Sequence, residues 1–413
     1  MSRVSRTPDK NLLVALDIGT SKVVVIVAEV TKEDQLNVIG VGLRSSYGLK
    51  KGVIVNIDST VQAIRQAIDE AEHMADCKIT NICAGIAGSH IHSFNSHGIV
   101  AIRDLEVTDS DVERVIEAAK AVAISADQRI LHILPQEFVI DRQTGIKEPV
   151  GMSGVRLEAK VHMVTGSVSA VQNIAKSIEC CDLVISDLVL EQLASSYAVL
   201  SEDERELGVC LIDIGGGTTD IAVCTEGAIK HTAVIPIAGA QVTSDIAHAL
   251  RTPTQYAEAI KLQHGTALTK YAKPEDSIEV RGVGNRPGRR LSMQTLAGVI
   301  ESRYEELFSL IYHELKKQGF ADLLAAGIVL TGGAAKMPGL IELAEEVFRM
   351  PVRLGIPKSV TGMSEVINNT VHATGIGLLL YAKQRHMDVY SDPMKTDKGN
   401  IWDKMRHWFK RYF

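Results

Sequence analysis

Aromatic side chains are scarce in this sequence, and long hydrophobic runs are absent. The 413 residues include nine tyrosines, seven phenylalanines and two tryptophans. Apolar stretches such as VVVIVA at 23–28 have the length of a strand, whereas a membrane-spanning helix needs about 20 apolar residues. Near the start, the apolar run LLVAL ends at Asp17, which is too short for a secretion signal. We therefore predict a protein that is neither secreted nor inserted across a membrane.

Cysteine and positive charge are also limited. The six cysteines show no CxxC spacing, and four of them lie in apolar runs, which favours reduced core thiols and a cytosolic protein. The net charge of −6 argues against a general nucleic-acid binder, so we expect no nucleic-acid partner. His90, His92 and His97 have no cysteine or acidic residue nearby. They are better explained as surface histidines on a strand than as a metal site.

The last thirteen residues, IWDKMRHWFKRYF, contain both tryptophans and five of the 18 aromatic residues. On a helix, at about 100° per residue, they form one continuous apolar arc beside a cationic arc. The apolar arc consists of Ile401, Trp402, Met405, Trp408, Phe409, Tyr412 and Phe413. The cations are Lys404, Arg406, Lys410 and Arg411, with His407 beside them. This layout is typical of a helix that lies in an anionic membrane surface, although packing of the segment on its own domain is an alternative.

Strand-length apolar runs alternate with segments of helical period along the rest of the chain, which predicts an α/β protein. Helices are predicted over 59–76 behind Ser59, over 108–124 behind Thr108, and over 292–319. Residues 385–400 are polar, lack a period and contain proline and glycine. We interpret them as a flexible linker that tethers the tail.

A near-repeat is the most informative internal feature. LLVALDIGTSKVVVIVAE (12–29) and GVCLIDIGGGTTDIAVCTEG (208–227) each contain an apolar strand, the letters DIG, several small or hydroxyl residues and a second apolar strand. Each predicts a hairpin with an acidic tip. Asp17 and Asp213 occupy equivalent places, which indicates two related halves that face a common cleft.

The residue types at these two tips suit phosphate binding. Glycines let the backbone bend so that N–H groups point at phosphate oxygens, hydroxyl groups add donors, and aspartates hold a hydrated magnesium ion. The residues concerned are Asp17, Gly19, Thr20, Ser21 and Lys22 in the first tip, and Asp213, Gly215, Gly216, Gly217, Thr218 and Thr219 in the second. One such turn alone would be an ordinary hairpin, but two in register favour a phosphate site. The chain contains no P-loop sequence.

These two stretches resemble the phosphate loops of the superfamily that comprises actin, heat-shock chaperones and sugar kinases. LEQLASSYAVL (190–200) resembles its first connecting helix, VLTGGAAKMPGL (329–340) its adenosine motif, and HATGIGLLL (372–380) its second connecting helix. The resemblance implies that the cofactors are ATP and Mg²⁺, with Asp17 and Asp213 beside the metal. It also implies catalytic roles for Glu191 and Asp213, Glu191 positioning the attacking water. The implied adenosine side consists of Glu258, Lys261, Gly332, Gly333 and Met337.

A long segment, HILPQEFVIDRQTGIKEPVGMSGVRLEAKVHMVT (132–165), closely resembles the FtsA family of bacterial cell-division proteins, and the likeness covers nearly the whole chain. It implies an actin-like ATPase fold with two related halves around a nucleotide cleft, an inserted family-specific subdomain and a C-terminal amphipathic helix. The implied protein binds ATP and assembles into actin-like filaments on the cytoplasmic face of the inner membrane at the division site. It would tether the ring of the tubulin-like FtsZ through the C-terminal peptide of FtsZ, and recruit later division proteins through residues 85–162.

The same resemblance divides the chain into expected units. The first-half core comprises 1–84 and 163–200, with the inserted subdomain at 85–162 between them. The second-half core comprises 201–240 and 301–384, with a small partner-docking subdomain at 241–300. The linker at 385–400 and the membrane helix at 401–413 follow.

A basic loop, RGVGNRPGRR (281–290), raises a question about the partner. Arg286 and Arg290, with Arg303 on the following helix, would pair with carboxylates of the FtsZ peptide, each exposed pair contributing about 0–1 kcal/mol. A solvated loop is the simpler interpretation of the same residues.

Other functions stay open at this point. A soluble actin-like ATPase or a small-molecule kinase with no membrane role is the alternative function. A kinase would need a general base beside a sugar-sized pocket, and neither alternative explains the tail. Hydrolysis of ATP is expected to be slow at most, since a filament protein uses ATP chiefly to hold two halves together.

Overall fold

Two β-sheets, one in each half of the chain, form the scaffold of the computed structural model, which describes residues 11–284 and 287–391. The strands are β1 (Leu12–Ile18), β2 (Lys22–Val30), β3 (Leu36–Ser45), β4 (Leu49–Lys50), β5 (Val53–Ile54), β6 (Asn81–Ile86), β7 (Ile91–Ala101), β8 (Gln128–Ile140), β9 (Gln143–Ile146), β10 (Arg156–Ser167), β11 (Val184–Leu190), β12 (Val209–Ile214), β13 (Thr219–Thr225), β14 (Ala228–Ile235), β15 (Ser277–Val280), β16 (Arg289–Ser292), β17 (Gly327–Thr331), β18 (Val352–Leu354) and β19 (Val360–Gly362). The helices are α1 (Ile57–Ala75), α2 (Asp109–Lys120), α3 (Val168–Glu179), α4 (Glu191–Val199), α5 (Glu202–Leu207), α6 (Gly239–Ala249), α7 (Thr254–His264), α8 (Met293–Lys317), α9 (Leu340–Phe348), α10 (Ser364–Ile367) and α11 (Ala373–Ser391). The predicted α/β class is confirmed.

The two sheets repeat one plan. The first has the order β11-β6-β1-β2-β3-β19, with β1 and β2 as an antiparallel hairpin and β6 parallel to β1. The second has the order β14-β13-β12-β17-β18, with β12 and β13 as the hairpin and β17 parallel to β12. These four hairpin strands are buried over nearly their whole length, which explains why their sequences are continuous apolar runs. The near-repeat in the sequence is therefore a central hairpin in each half.

Helix starts follow the expected capping chemistry, with one correction. Thr108 caps α2 in the predicted way, and Ser292 caps α8. For α1 the sequence suggests Ser59 as the cap, but the helix begins earlier. Asn56 is the cap, since its Oδ1 accepts a hydrogen bond of 2.9 Å from the backbone N–H of Ser59. Both residue types are good caps, and a pattern of apolar residues alone does not choose between them.

Residues 91–167 form a separate sheet, β7-β10-β8-β9, with α2 packed against it and a small core of its own. This unit is inserted between β6 and α3 of the first half, yet its strands β7 and β8 contact β14, the edge strand of the second sheet. His162 lies fully buried at that contact, with Nε2 2.9 Å from Thr232 Oγ1 and Nδ1 2.7 Å from Asn95 Oδ1. Burial lowers the pKa of His162 to about 3, so this histidine is a neutral, structural one.

In the second half, residues 241–300 contain most of α6, together with α7 and the short hairpin β15–β16, and lead into α8. Tyr304 and Phe308 on the buried side of α8 pack together, and Phe308 also contacts Phe348 of α9. These aromatic side chains belong to one buried core that also contains residues of α6, α7 and the second sheet.

Helices α4 and α11 connect the halves and cross in close contact. A Cβ atom on Gly377 of α11 would lie 1.8 Å from the carbonyl oxygen of Ala194 in α4, so glycine is required at the crossing. Helix α4 also contacts β12 and β13, whereas α11 lies on β1, β2 and β6.

The assignment of 301–384 to the second half needs correction. After β18 the chain crosses back, and β19 pairs in parallel with β3 of the first sheet. Helix α11 then packs on the first sheet as well. Pairings between strands more than three hundred residues apart leave no local trace in the sequence, which is why the boundary was misplaced.

The structure also differs from the predicted linker. Helix α11 continues to Ser391, so the first seven residues of 385–400 are helical. They contain neither glycine nor proline, and Arg385 forms an ion pair with Asp187 of the first half. Pro393, which disfavours helix in the residue before it, comes only afterwards. Residues 392–400, the predicted tail helix at 401–413, and Arg286 lie outside the described residues.

Candidate functional site

The turns that follow β1 and β12 face each other across a cleft between the two halves. Among the residues predicted from the sequence, those that line it are Asp17, Gly19, Thr20, Ser21, Lys22, Glu191, Asp213, Gly215, Gly216, Gly217, Thr218, Gly332 and Gly333. The structure thus brings together residues from four separate stretches of the sequence.

Both turns are built in the same way. The N–H of Gly19 donates to the carbonyl of Lys22 at 2.9 Å, and the N–H of Gly215 donates to the carbonyl of Thr218 at 3.0 Å. This shared geometry is the structural counterpart of the near-repeat.

The two turns are also in direct contact. A Cβ atom on Gly216 would lie 1.9 Å from Ser21 Oγ, and one on Gly217 would lie 2.4 Å from Thr20 Oγ1. The glycines of the second turn are therefore required by the approach of the first turn. Any side chain at these positions would hold the two halves apart.

Four carboxyl groups converge in the cleft: those of Asp17, Glu191, Asp213 and Asp220. Asp213 and Asp220 are paired directly across the β12–β13 hairpin, so their side chains project from the same face. Glu191 is the first residue of α4, and its side chain passes next to Gly85 to reach the cleft.

The pKa values of all four groups are displaced upward. Burial, reinforced by the Asp213 carboxyl, raises the pKa of Asp17 to about 6 despite Lys22 nearby. Burial and the Asp213 carboxyl raise the pKa of Asp220 to about 8. Burial, with Asp17 and Asp220 adding to it, raises the pKa of Glu191 well above its ordinary value. The pKa of Asp213 is also raised by burial, although hydrogen bonds to its carboxylate oppose the shift.

Lys22 provides positive charge inside this acidic site. Its ammonium donates to the carbonyl oxygen of Val371, and burial lowers its pKa. One lysine opposes four carboxyl groups, and Oδ1 of Asp220 has no hydrogen-bond partner among the described residues. The folded cleft is therefore short of positive charge.

A hydrated divalent cation fits this donor set. Carboxylates are the ligands that Mg²⁺ prefers, and the ion usually keeps several waters and takes only one or two protein carboxylates. Within residues 11–284 and 287–391, no three histidine, cysteine, aspartate or glutamate residues are grouped so as to hold a metal ion directly. That finding also applies to the His90, His92 and His97 segment.

Four predicted nucleotide residues do not line the cleft. Thr219 is buried, and its hydroxyl donates to the carbonyl of Ile237 at 2.7 Å, so it supports the turn and does not face it. Lys261 Nζ lies 2.7 Å from Glu258 Oε2 and 3.1 Å from the carbonyl oxygen of Gly239, to which it donates. Met337 packs against Gly265, just after α7.

Lys261 nevertheless lies close to the second turn, with Glu258 paired to it. The N–H of Gly239 donates to the carbonyl of Gly215 at 3.1 Å, so Lys261 is separated from the turn by a single residue.

Several cleft residues were not predicted. Asp220, Ser195, Thr370 and Thr374 all line or support the cleft. Asp220 could have been predicted from the sequence. In a tight β12–β13 hairpin, Asp220 lies opposite Asp213, seven positions earlier, on the same face of the sheet. Ser195 and Thr374 depend on the crossing of α4 and α11, and Thr370 depends on a long-range hydrogen bond to the carbonyl of Gly332, so none of the three carries a local signal.

The two described partner-binding candidates differ. Arg303 is held by Asp245, with Nε 2.5 Å from Oδ2, and by an ion pair with Glu306. Arg290 lies exposed on β16. Between α6 and α8 runs a groove that includes Asp245, His248 and Arg303.

The cysteines agree only in part with the expectation of core thiols, because Cys180 is exposed and Cys77 and Cys181 are half-buried. All six cysteines are free thiols, and Cys83, Cys210 and Cys224 are buried in the core. No helix within residues 11–284 and 287–391 combines the length and the apolar character needed to cross a membrane.

Comparison with known families gives two matches. The family described as "Cell division protein FtsA" matches residues 210–377, and the family described as "SHS2 domain inserted in FTSA" matches residues 88–165. Among curated relatives, the cell division protein FtsA of Pseudomonas aeruginosa is 59% identical over 409 residues, covering 97% of this chain and 98% of its own length. The FtsA of Escherichia coli K12 is 47% identical over 418 residues, with 99% and 100% covered.

Solved structures share the fold at low identity. The PilM–PilN type IV pilus biogenesis complex matches with a TM-score of 0.65 and 16% identity, covering 89% of this chain and 97% of that one. MreB5 of Spiroplasma citri bound to ADP matches with a TM-score of 0.56 and 16% identity, covering 93% and 100%. The MamK double helical filament matches with a TM-score of 0.51 and 16% identity, covering 90% and 98%. These likenesses confirm the expected actin-like ATPase fold with an inserted SHS2 subdomain.

Proposed function

Because the chain belongs to the FtsA family of cell division proteins, we propose that it is a nucleotide-dependent anchor of the division ring. It binds ATP with Mg²⁺ between its halves, assembles with copies of itself, and holds the C-terminal peptide of FtsZ at the cytoplasmic face of the inner membrane. One observation carries the nucleotide part of this proposal. The two hairpin turns meet across a cleft that is rich in backbone N–H groups, hydroxyls and buried carboxylates.

The phosphate groups of ATP occupy the cleft that the two turns line. N–H groups of the glycine-rich turns and the hydroxyls of Ser21 and Thr218 donate to phosphate oxygens, and Lys22 supplies a cation. Magnesium, when bound, screens the phosphate charge beside Asp17 and Asp213. Gly332 and Gly333 form the wall next to Thr370, and the Glu258–Lys261 pair with Met337 holds the ribose and base.

Any hydrolysis is assigned to Glu191. Its carboxyl group comes from the start of α4, whereas the two aspartates proposed to lie beside the metal, Asp17 and Asp213, come from β1 and β12. Because its pKa is raised, the Glu191 carboxyl group tends to keep its proton. It can accept a proton from water only when a neighbouring positive charge lowers that pKa.

Partner docking is assigned to the second-half small subdomain. The groove between α6 and α8 and the exposed Arg290 on β16 present polar and cationic groups to a peptide with carboxylates. Arg303 serves this groove indirectly, because its guanidinium is already bound by Asp245 and Glu306. Other division proteins dock on residues 85–162.

Membrane attachment is assigned to residues 401–413, and the support for it comes from the sequence. A helix of thirteen residues is marginal in water and folds on contact with lipid, so one copy binds weakly. Several copies on one polymer bind together, and their avidity rises by a factor on the order of 10² to 10⁴. Resemblance to a protein whose solved form is a double helical filament supports such assembly.

Titration calorimetry of the full chain with ATP tests the nucleotide step. We expect tighter binding with Mg²⁺ than with a chelator, and loss of this difference in the double variant Asp17→Asn with Asp213→Asn. Asp322→Asn, at an exposed position away from the cleft, is the matched control. Absence of ATP binding by the unchanged chain would overturn the proposed function.

A further inference from the structure

The carboxylate of Asp213 is held by hydroxyl groups from both connecting helices. Ser195 Oγ of α4 donates to Asp213 Oδ2 at 2.6 Å, and Thr374 Oγ1 of α11 donates to the same oxygen at 3.2 Å. The two hydroxyl oxygens are 3.0 Å apart, and all three side chains are buried. We propose that Ser195 and Thr374 are positioning residues that orient Asp213 for the magnesium nucleotide, an inference that rests on the proposed function.

The two oxygens of Asp213 have different surroundings. Oδ2 is occupied by the two hydroxyls, whereas Oδ1 lies beside Gly332 in the cleft wall, where a Cβ atom would approach it to 2.4 Å. Rotation of the carboxylate would break both hydrogen bonds. Hydrogen bonds to a charged acceptor are stronger than neutral ones, so they hold the carboxylate in one orientation.

Orientation matters because of the kind of ion that fits the site. A hydrated magnesium ion is bound through its waters as well as directly, and such contacts need acceptors at fixed positions. Partners that orient a metal-side carboxylate in this way affect metal affinity although they never touch the metal. Ser195 and Thr374 therefore act on the Mg²⁺-dependent part of ATP affinity.

The same contacts tie the site to the connection between the halves. Asp213 belongs to β12 of the second sheet, whereas α11 lies on the first sheet and crosses α4 at Gly377. A shift of α4 against α11 would separate Ser195 from Thr374, and Asp213 would lose its fixed orientation. The metal side of the site is thus sensitive to the arrangement of the two helices.

The test measures ATP affinity of the full chain by titration calorimetry, in Mg²⁺ and in chelator, for Ser195→Ala and Thr374→Val. We expect the affinity in Mg²⁺ to fall on the order of tenfold. The affinity in chelator stays the same. Thr374→Ser keeps the hydroxyl and restores most of the Mg²⁺ effect. Ser196→Ala removes a neighbouring buried hydroxyl that donates to Leu193 in the same helix, and it should leave both affinities unchanged.

Each outcome has a distinct meaning. If the unchanged chain binds ATP with a Mg²⁺ effect and both hydroxyl-free variants keep it, the positioning role is wrong while the proposed function stands. Equal losses in Mg²⁺ and in chelator would show a purely structural role and overturn the inference. If the unchanged chain shows no Mg²⁺ effect, the proposed function and the inference fail together. Should Ser195→Ala not fold, the contrast between Thr374→Val and Thr374→Ser decides the question.

Discussion

At the scale of single residues, the cleft concentrates four carboxyl groups beside one lysine, Lys22. Those of Asp17, Asp213 and Asp220 belong to buried residues, and burial displaces all four pKa values upward. The types and spacing of Asp17, Asp213 and the glycines were readable from the sequence, because a phosphate turn is a local structure. Ser195 and Thr374 were not, because their role depends on a helix crossing.

The raised pKa of Asp220 predicts a pH dependence of stability. Its folded pKa is about 8 and its ordinary value is 3.8, so the folded state holds a proton that the unfolded state has released. The stabilising contribution of this group is complete below pH 4 and is lost as the pH rises towards 8. Asp220→Asn should therefore flatten the fall in unfolding free energy between pH 5 and 8, by up to about 1.4 kcal/mol per pH unit.

Denaturant unfolding of the nucleotide-free chain at several pH values measures this effect. Asp322→Asn, at an exposed carboxyl group, should leave the slope unchanged. If the unfolding free energy of Asp220→Asn fell with pH as steeply as that of the unchanged chain, the raised pKa assigned to Asp220 would be wrong.

Glu191 gives a second prediction at this scale. Glu191→Ala should abolish release of phosphate from ATP while ATP affinity changes less than about threefold, since the group is placed to act on water and not on the nucleotide. Phosphate release and calorimetry measure the two quantities separately, with Glu305→Ala on the exposed side of α8 as the control. If affinity is lost together with turnover, Glu191 is a binding residue.

At the scale of elements, the two hairpins and the two connecting helices determine the cleft. The sequence predicts the central hairpins, α2 and α8 well, because each has a local period, cap or turn. It misplaces the end of α11 and the half to which that helix belongs. Both errors concern contacts made at long range, the β19–β3 pairing and the Arg385–Asp187 ion pair.

The helix crossing predicts the outcome of Gly377→Ala. The added Cβ atom would lie 1.8 Å from a backbone oxygen of α4, which cannot move aside as a side chain would. We expect the unfolding free energy to fall by about 1–3 kcal/mol, as for other overpacked sites. Denaturant unfolding measures the change.

Gly298→Ala in α8 is the matched control for this prediction. A Cβ atom there meets only Thr269, at an ordinary distance of 3.7 Å, so the change should be neutral or stabilising by up to about 1 kcal/mol. A Gly377→Ala variant as stable as the unchanged chain would show that the close crossing is not required.

At the scale of the whole molecule, we propose that an actin-like body with a nucleotide cleft is attached to the membrane by the amphipathic segment at residues 401–413. The family and the fold follow from long, specific stretches of sequence, such as residues 132–165. Membrane attachment rests on the pattern of residues 401–413 and on the argument that a polymer binds lipid through many weak anchors. We therefore expect assembly and membrane binding to rise together.

Co-sedimentation with anionic lipid vesicles is the measurement that tests this claim most directly. It compares the full chain with one that ends after Gly399, each with and without ATP and magnesium. We expect only the full chain to sediment with vesicles, and we expect ATP with magnesium to increase the bound fraction. Equal sedimentation of both chains, or none by either, would contradict the anchoring role.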